Sequence, residues 1–340
     1  MFKIGLDLGY GYVKGINEKG KRVIFPSLVS MGHDRSLSKL FQNSANIMDN
    51  LHVSISDGRE TQEYFVGELA RNESKTASFV FDENKINHPN TRVLLATACA
   101  LLMPDDDSPV HIVTGLPLEQ YMHGKEEFLE MLKSFKAIVS IADINRSWIV
   151  KFDKVTLFPQ AAGAVYYSMW DNISRYLAEG GYIGLIDIGF KTTDYIVFKL
   201  GKKILLQNEM SNTINTGMSD LYDIVGQLFS KKTGVMPDTR VAMEIVENGG
   251  IMHYGKKVDM SKEIQMAKEE VARIIKNRIK MSWSDEMSMF NTVFLAGGGA
   301  KELEEHLMDI YPRTVLVNDP QMANARGFLK VAEIQEKNEK

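Results

Sequence analysis

The four residues Asp7-Leu8-Gly9-Tyr10 recur as Asp187-Ile188-Gly189-Phe190, each time where one apolar run ends and turns into another. An acid, an aliphatic residue, a glycine and an aromatic match in order, the signature of a duplicated domain. The flanks repeat as well. Phe2 to Leu8 predicts a strand that turns at Gly9-Tyr10-Gly11 into Tyr12 to Asn17, and Gly20 leads into a third strand, Arg22 to Phe25. Ile183 to Ile188, Tyr195 to Leu200 and Lys203 to Met210 predict a second meander of the same kind. A chain of 340 residues is long for one compact domain, so two domains are the natural division.

Between the meanders, Ser30 to Asn50 reads as polar and irregular, and Leu51 to Ser56 and Glu63 to Val66 as strands flanking the turn Asp57-Gly58. Thr91 to Met103 predicts a buried helix, Val110 to Thr114 a strand, Glu119 to Phe135 a helix, and Ile149 to Phe158 includes a strand stopped by Pro159. Ala161 to Leu177 predicts a helix closed by Gly180-Gly181. After Gly217 the pattern is mostly helical. Ile264, Met266, Ala267, Val271, Ile274, Ile275 and Ile279 mark one apolar stripe, with Glu269 and Arg273 paired four apart on the polar side. Val293 to Ala296 is a short buried strand that feeds Gly297-Gly298-Gly299, and a helical segment begins near Lys301. A strand at Thr314 to Val317 and a helix from Met322 complete the chain, with Glu336 to Lys340 expected to fray.

A tight turn between strands directs successive backbone N–H groups into one concavity, an anion nest suited to phosphate oxygens. Glycine is needed where the backbone approaches a ligand closely. Thr192 and Thr193 add hydroxyls to the second turn, and Lys14 can reach back toward the first. Asp7 and Asp187 would repel bare phosphates, so the pair implies a hydrated Mg²⁺, which keeps several waters and takes one or two carboxylates. Gly297-Gly298-Gly299 would let a flat ring or ribose pack on bare backbone.

Composition narrows the classes. Forty basic and 44 acidic residues leave a net charge of −4, giving no global drive toward nucleic acid, so any DNA contact is expected to pass through a partner. The single cysteine, Cys99, sits in an apolar run and is expected to be a buried structural thiol, consistent with a reducing cytoplasm. No apolar run approaches the roughly 20 residues of a membrane span, and the N-terminus lacks a signal-peptide core. The seven histidines show no paired metal-ligand spacing. Met281, Met287 and Met289 near Trp283 read as core or adaptable contact surface, and Lys231-Lys232 as a solvated turn.

The order Asp-x-Gly-x-Gly-x-x-Lys, then Phe158-Pro159-Gln160-Ala161-Ala162-Gly163-Ala164, then Asp-x-Gly-x-x-Thr-Thr-Asp, then Gly-Gly-Gly resembles the actin, sugar-kinase and heat-shock-chaperone ATPase superfamily over nearly the whole chain. The compact length and the ending Asn318-Asp319-Pro320-Gln321-Met322-Ala323-Asn324-Ala325-Arg326-Gly327 look most like ParM-type plasmid-segregation proteins. The resemblance implies an α/β actin-like fold: two duplicated ribonuclease-H-like domains around a nucleotide cleft, each with a small insertion. It places domain I at 1–160 with an insertion at about 30–90, domain II at 161–320 with a mostly helical insertion at about 213–285, and a helix at 321–340 returning to domain I. It makes Asp7, Gly9, Tyr10, Gly11 and Lys14 the first phosphate loop and Asp187, Gly189, Phe190, Lys191, Thr192 and Thr193, up to Asp194, the second. Gly217 and Gly297, Gly298 and Gly299 join the nucleotide site, Asp7 and Asp187 hold Mg²⁺, and Gly163 and Gly327 look like hinges between the domains. Tyr10 stands where many members have serine or threonine, leaving backbone donors in place of a hydroxyl.

Gln160 matches the residue that orients the attacking water. A neutral amide positions water without taking its proton, so the resemblance implies slow ATP hydrolysis, with Gln160 and Asp187 as the catalytic residues. A filament of the protein itself, ATP or alternatively GTP, a DNA-bound adaptor and a cytoplasmic location complete the expectation. The alternatives are a small-molecule kinase, which needs a carboxylate aimed at an acceptor hydroxyl, and a chaperone-type ATPase, which commonly carries a client-binding region that the short tail after Gly327 leaves no room for.

Overall fold

A computed structural model describes residues 1–34, 46–74, 78–79, 88–144, 146–202 and 204–339. The chain divides into two units, Met1–Tyr167 with Met322–Lys340, and Ser168–Gln321. The first begins with the meander β1 (Phe2–Leu8), β2 (Tyr12–Asn17) and β3 (Arg22–Pro26) and continues through β4 (Leu28–Met31), β5 (Leu51–Ser56), β6 (Thr61–Val66), α1 (Glu68–Glu73) and β7 (Ser78–Phe79). Then come α2 (Pro89–Leu102), β8 (Val110–Leu116), α3 (Leu118–Lys133), β9 (Lys136–Ile141), β10 (Ser147–Lys151), β11 (Lys154–Pro159) and α4 (Gln160–Met169). Much of the segment 30–50 lies outside the described residues.

One sheet runs β11-β8-β1-β2-β3, with β8 parallel to both β1 and β11 and the meander antiparallel; the other, β10-β9-β5-β6-β4-β7, is antiparallel. Helix α2 touches strands of both sheets, β1 to β3 on one and β4 to β6, β9 and β10 on the other. A helix packed on two sides has no solvent face to keep polar, which is why Val93 to Leu102 is apolar but for Thr97, whose hydroxyl donates to the Val93 carbonyl at 2.8 Å. Cys99 is fully buried there, and burial pushes its thiol far above the usual range, so it stays protonated.

The second unit opens with α5 (Ile173–Glu179), then β12 (Gly181–Ile188), β13 (Thr193–Leu200), β14 (Leu205–Leu206) and β15 (Asn212–Ile214). The helices α6 (Met218–Thr233) and α7 (Thr239–Asn248), the hairpin β16 (Gly250–His253) and β17 (Lys256–Asp259), and α8 (Ser261–Trp283) follow. Strand β18 (Phe290–Ala296), α9 (Ala300–Leu307) and β19 (Thr314–Leu316) close it, and α10 (Ala323–Glu339) belongs to the first unit. Its main sheet runs β14-β13-β12-β18-β19, with β18 parallel to β12 and β19. An antiparallel meander continued by two parallel strands is the order of the first sheet again, so the repeated motif sits on a repeated topology.

Several local expectations give way to tertiary context. The third strand of the second meander shortens to two residues, with Lys203 outside the described residues, because β14 and β15 share the edge of β13. The chain steps between them through a turn at Asn208–Met210, and the Ser211 hydroxyl accepts the Val197 N–H where no strand partner reaches it, at 2.9 Å. On α8 the buried stripe is Ile264, Ala267, Val271, Ile275 and Ile279, whereas Met266 is 52% exposed: it lies about 100° around the helix from Ala267. Arg273 pairs with Glu270 at 2.6 Å instead of Glu269, and Lys231 and Lys232 are exposed as expected, in the last turn of α6, with Lys232 also meeting Glu263 at 2.8 Å. Met281 and Met289 are exposed, while Met287 packs partly against the core. Helix α10 runs to Glu339, with Lys340 outside the described residues, and Glu336 meets the partly buried Lys3 at 2.7 Å.

Candidate functional site

In the first unit the motif sits where β1 leaves the sheet. Asp7 pairs in register with Lys14 across the hairpin, so both side chains emerge on one face, and Lys14 Nζ donates to Asp7 Oδ2 at 3.1 Å. Gln160 opens α4 at the end of β11, two strands away and parallel through β8, and its Nε2 donates to Asp7 Oδ1 at 2.9 Å. The Asp7 carboxylate is 2% exposed. A buried carboxylate is tolerated only with such donors, one cationic and one neutral. The tie also fixes the Gln160 amide, with its nitrogen engaged and its Oε1 as the acceptor end. The Tyr10 hydroxyl accepts from Gln120 Nε2 on α3 at 2.7 Å, so the tyrosine is anchored to that helix.

The second loop repeats this turn. Asp187 pairs in register with Asp194, and the Gly189 N–H donates to the Thr192 carbonyl at 2.9 Å. A Cβ on Gly189 would meet that carbonyl oxygen at 2.8 Å, as one on Gly9 would meet the Tyr12 carbonyl oxygen at 2.7 Å. The two loops therefore need glycine at matched positions for the same steric reason. Helix α6 starts against the loop, its Met218 and Ser219 N–H groups donating to the Gly189 and Phe190 carbonyls at 3.1 and 2.7 Å. Gly217 permits this approach, since a Cβ there would lie 2.7 Å from the Phe190 carbonyl oxygen. Thr193, expected as a hydroxyl donor in the turn, is fully buried and donates instead to the Thr216 carbonyl at 2.8 Å. Register explains the difference: Thr193 is the first residue of β13 and faces the core, while Thr192 remains half-buried in the turn.

The three glycines after β18 divide by role. Strand pairing puts Ala296 beside Asp187, and Gly297, at φ +90°, crosses so close that a Cβ would stand 2.3 Å from Asp187 Oδ1. Gly299 donates to the Ile188 carbonyl at 2.9 Å and packs against Met218. Gly298 is exposed, and a Cβ there meets only Gln321 Cγ at 3.9 Å. Gly298→Ala is therefore expected to leave the melting temperature within about 2 °C of wild type while weakening nucleotide binding about tenfold, a factor worth ~1.4 kcal/mol. Calorimetric titration measures it, and unchanged affinity would remove Gly298 from the site.

Among the described residues no group of three or more His, Cys, Asp or Glu side chains forms a cage for an ion. Each loop carries one acidic residue of its motif, Asp7 in the first unit and Asp187 in the second, and a hydrated Mg²⁺ needs no more than one or two carboxylates. Sequence reading missed Ser27, which is fully buried beside the first loop. Its only sequence signal is its place directly after Pro26 at the end of a strand.

Two family models match the chain: "Actin like proteins N terminal domain" over residues 5–163 and "Archaeal actin homologue MreB-like, C-terminal" over residues 185–309. A solved 15-stranded ParM filament from Clostridium botulinum has a protomer 40% identical to this chain, covering 98% of this chain and 99% of its own with a TM-score of 0.91. The archaeal actin homolog of Thermoplasma acidophilum is 26% identical, over 98% of this chain and 99% of its own. An archaeal actin homolog solved in complex with ADP shares the fold, at 23% identity and a TM-score of 0.80 over 98% of this chain and 100% of that one.

Proposed function

The chain belongs to the actin-like ATPase superfamily and has its fold, and from that membership we propose that it is a ParM-like protein that binds ATP with Mg²⁺, assembles into filaments and hydrolyses the nucleotide slowly. The carrying observation is the matched pair of Asp-Gly turns at the ends of β1 and β12, in a chain 40% identical along its length to a ParM that forms filaments. An archaeal homolog solved with ADP supports an adenine nucleotide as ligand, with GTP as the competing choice.

In this reading the backbone N–H groups of residues 9–11 and 190–192 receive phosphate oxygens, Gly189 closing the second turn through its own N–H on the Thr192 carbonyl, and Gly298 takes the nucleoside. Asp7 and Asp187 would hold Mg²⁺ through its waters, and the ion would supply positive charge against the phosphates. Lys14, on Asp7 at 3.1 Å, adds the cationic side chain of the first loop. Gln160 presents Oε1 to a water while Asp7 holds its Nε2 at 2.9 Å. An amide orients that water but does not deprotonate it, so hydrolysis rests on positioning and electrostatics and is slow. Slow turnover suits an assembly timer: ATP favours head-to-tail association, whose non-closing contact extends into a filament, and hydrolysis weakens it. We assign the filament to plasmid DNA segregation through a DNA-bound adaptor, since a net charge of −4 offers no general attraction to DNA. No helix among the described residues is long and apolar enough to cross a membrane, and we place the protein in the cytoplasm.

The test is high-speed sedimentation with light scattering in ATP, ADP or no nucleotide, with Mg²⁺ and with a chelator. ATP- and Mg²⁺-dependent pelleting is expected. A wild-type protein that hydrolyses ATP yet stays monomeric at every concentration and salt would end the filament reading and direct the search to a phosphoryl acceptor.

A further inference from the structure

Ser27 lies between β3 and β4, fully buried, and makes two bonds to the first loop. Its Oγ donates to the Gly9 carbonyl at 2.6 Å, and its N–H donates to the Gly11 carbonyl at 2.8 Å. In a trans peptide the C=O and the following N–H point in opposite directions. Drawing the Gly9 and Gly11 carbonyls onto Ser27 therefore turns the N–H groups of Tyr10 and Tyr12 away from it. The second loop is held differently: its Gly189 and Phe190 carbonyls are taken by backbone N–H groups of α6, at 3.1 and 2.7 Å. The Gly9 carbonyl of the first loop is thus held by a side-chain hydroxyl, where the matched Gly189 carbonyl is held by a helix end.

We infer that Ser27 is a positioning residue for phosphate binding, setting the Gly9-Tyr10 peptide plane so that the loop's N–H donors are aimed before a nucleotide arrives. The inference rests on the nucleotide reading above. Donors fixed in advance cost no reorganisation on binding, so loss of the Ser27 hydroxyl lets the peptide rotate and weakens the phosphate contacts specifically. Adenosine, which has no phosphate, is unaffected.

Ser27→Ala and Ser27→Thr are compared with wild type by calorimetric titration of ATP with Mg²⁺ and of adenosine, alongside melting without nucleotide. The expected result is about a tenfold loss of ATP affinity in the alanine variant, unchanged adenosine affinity, and recovery to within about threefold in the threonine variant, which keeps a hydroxyl. Should the alanine variant melt below the assay temperature, Ser27→Cys, of similar volume but a weaker donor, carries the same comparison. Unchanged ATP affinity, or equal losses for ATP and adenosine, would overturn the inference and leave Ser27 a packing residue. A wild type that binds adenosine but gains nothing from the phosphates removes the inference and the phosphate-loop reading together, whereas a wild type that gains from them with no effect at Ser27 removes the inference alone.

Discussion

Gly327→Ala is expected to destabilise the protein by about 3 kcal/mol or more, lowering its melting temperature by roughly 6 to 12 °C. Gly327 on α10 crosses Gly163 on α4, and a Cβ there would lie 1.8 Å from the Gly163 carbonyl oxygen and 2.3 Å from its carbon. Both partners are helix backbone, so no side chain can swing aside. The two helices must separate, which disturbs Phe328, fully buried against Gly163 and Gly115. Alanine is the better helix former by only ~1 kcal/mol, too little to offset the clash. At Gly163 the added methyl meets the Phe328 ring at 2.8 Å and the Asn324 carbonyl oxygen at 2.9 Å, and Gly163→Ala is expected to cost about half as much, because the ring can shift. Urea unfolding checks both. A Gly327→Ala protein within about 1 kcal/mol of wild type would contradict the backbone contact. The resemblance suggests hinges at these two positions; the local packing makes them, first, the point where α10 seats in its own unit.

The second large effect separates hydrolysis from assembly. Gln160→Ala is expected to lower kcat about 100-fold while ATP affinity changes only a few-fold, so that filaments form and persist instead of turning over. The Asp7 carboxylate keeps Lys14 in that variant, which holds the loss of stability near ~1 kcal/mol. Asp187→Ala is expected to abolish ATP-dependent pelleting itself, because in the proposed reading this carboxylate, one residue before the end of β12, serves nucleotide and metal binding ahead of any chemical step. Phosphate release and sedimentation, measured on the same samples, distinguish the two. A Gln160→Ala protein hydrolysing within about threefold of wild type would exclude the glutamine as the water-positioning group, and Asp187→Ala filaments that still require ATP would exclude Asp187 from the metal site.

The duplicated strand-turn-strand units were legible because a hairpin is a local object: strand, glycine turn and returning strand lie within a dozen or so residues, and Asp7 and Asp187 end their strands at positions fixed by a period of two. The buried α2 was legible from its unbroken apolar run. Errors arose where a neighbour far along the chain chose the outcome. One error was local: Arg273 pairs with Glu270, three residues before it on the same helix, and the expected partner was Glu269. Thr193 looked like a free hydroxyl until β13 turned it to the core, where it donates to the Thr216 carbonyl. Lys232 is exposed as read, and only its ion pair with Glu263, on another helix, was invisible to local pattern.

The amino-acid sequence by itself determined the duplicated domain, the positions of both acidic turns and the glycines that the turns require. Tertiary structure alone decided that Gln160 donates to Asp7, that Tyr10 is anchored to Gln120, that Ser27 holds the first loop and that α10 seats on Gly163. The physical reason is that turns and strands follow from residues adjacent in the chain, whereas a hydrogen bond between positions 7 and 160 exists only because β8 lies between β1 and β11, and local periodicity does not encode the order of strands in a sheet.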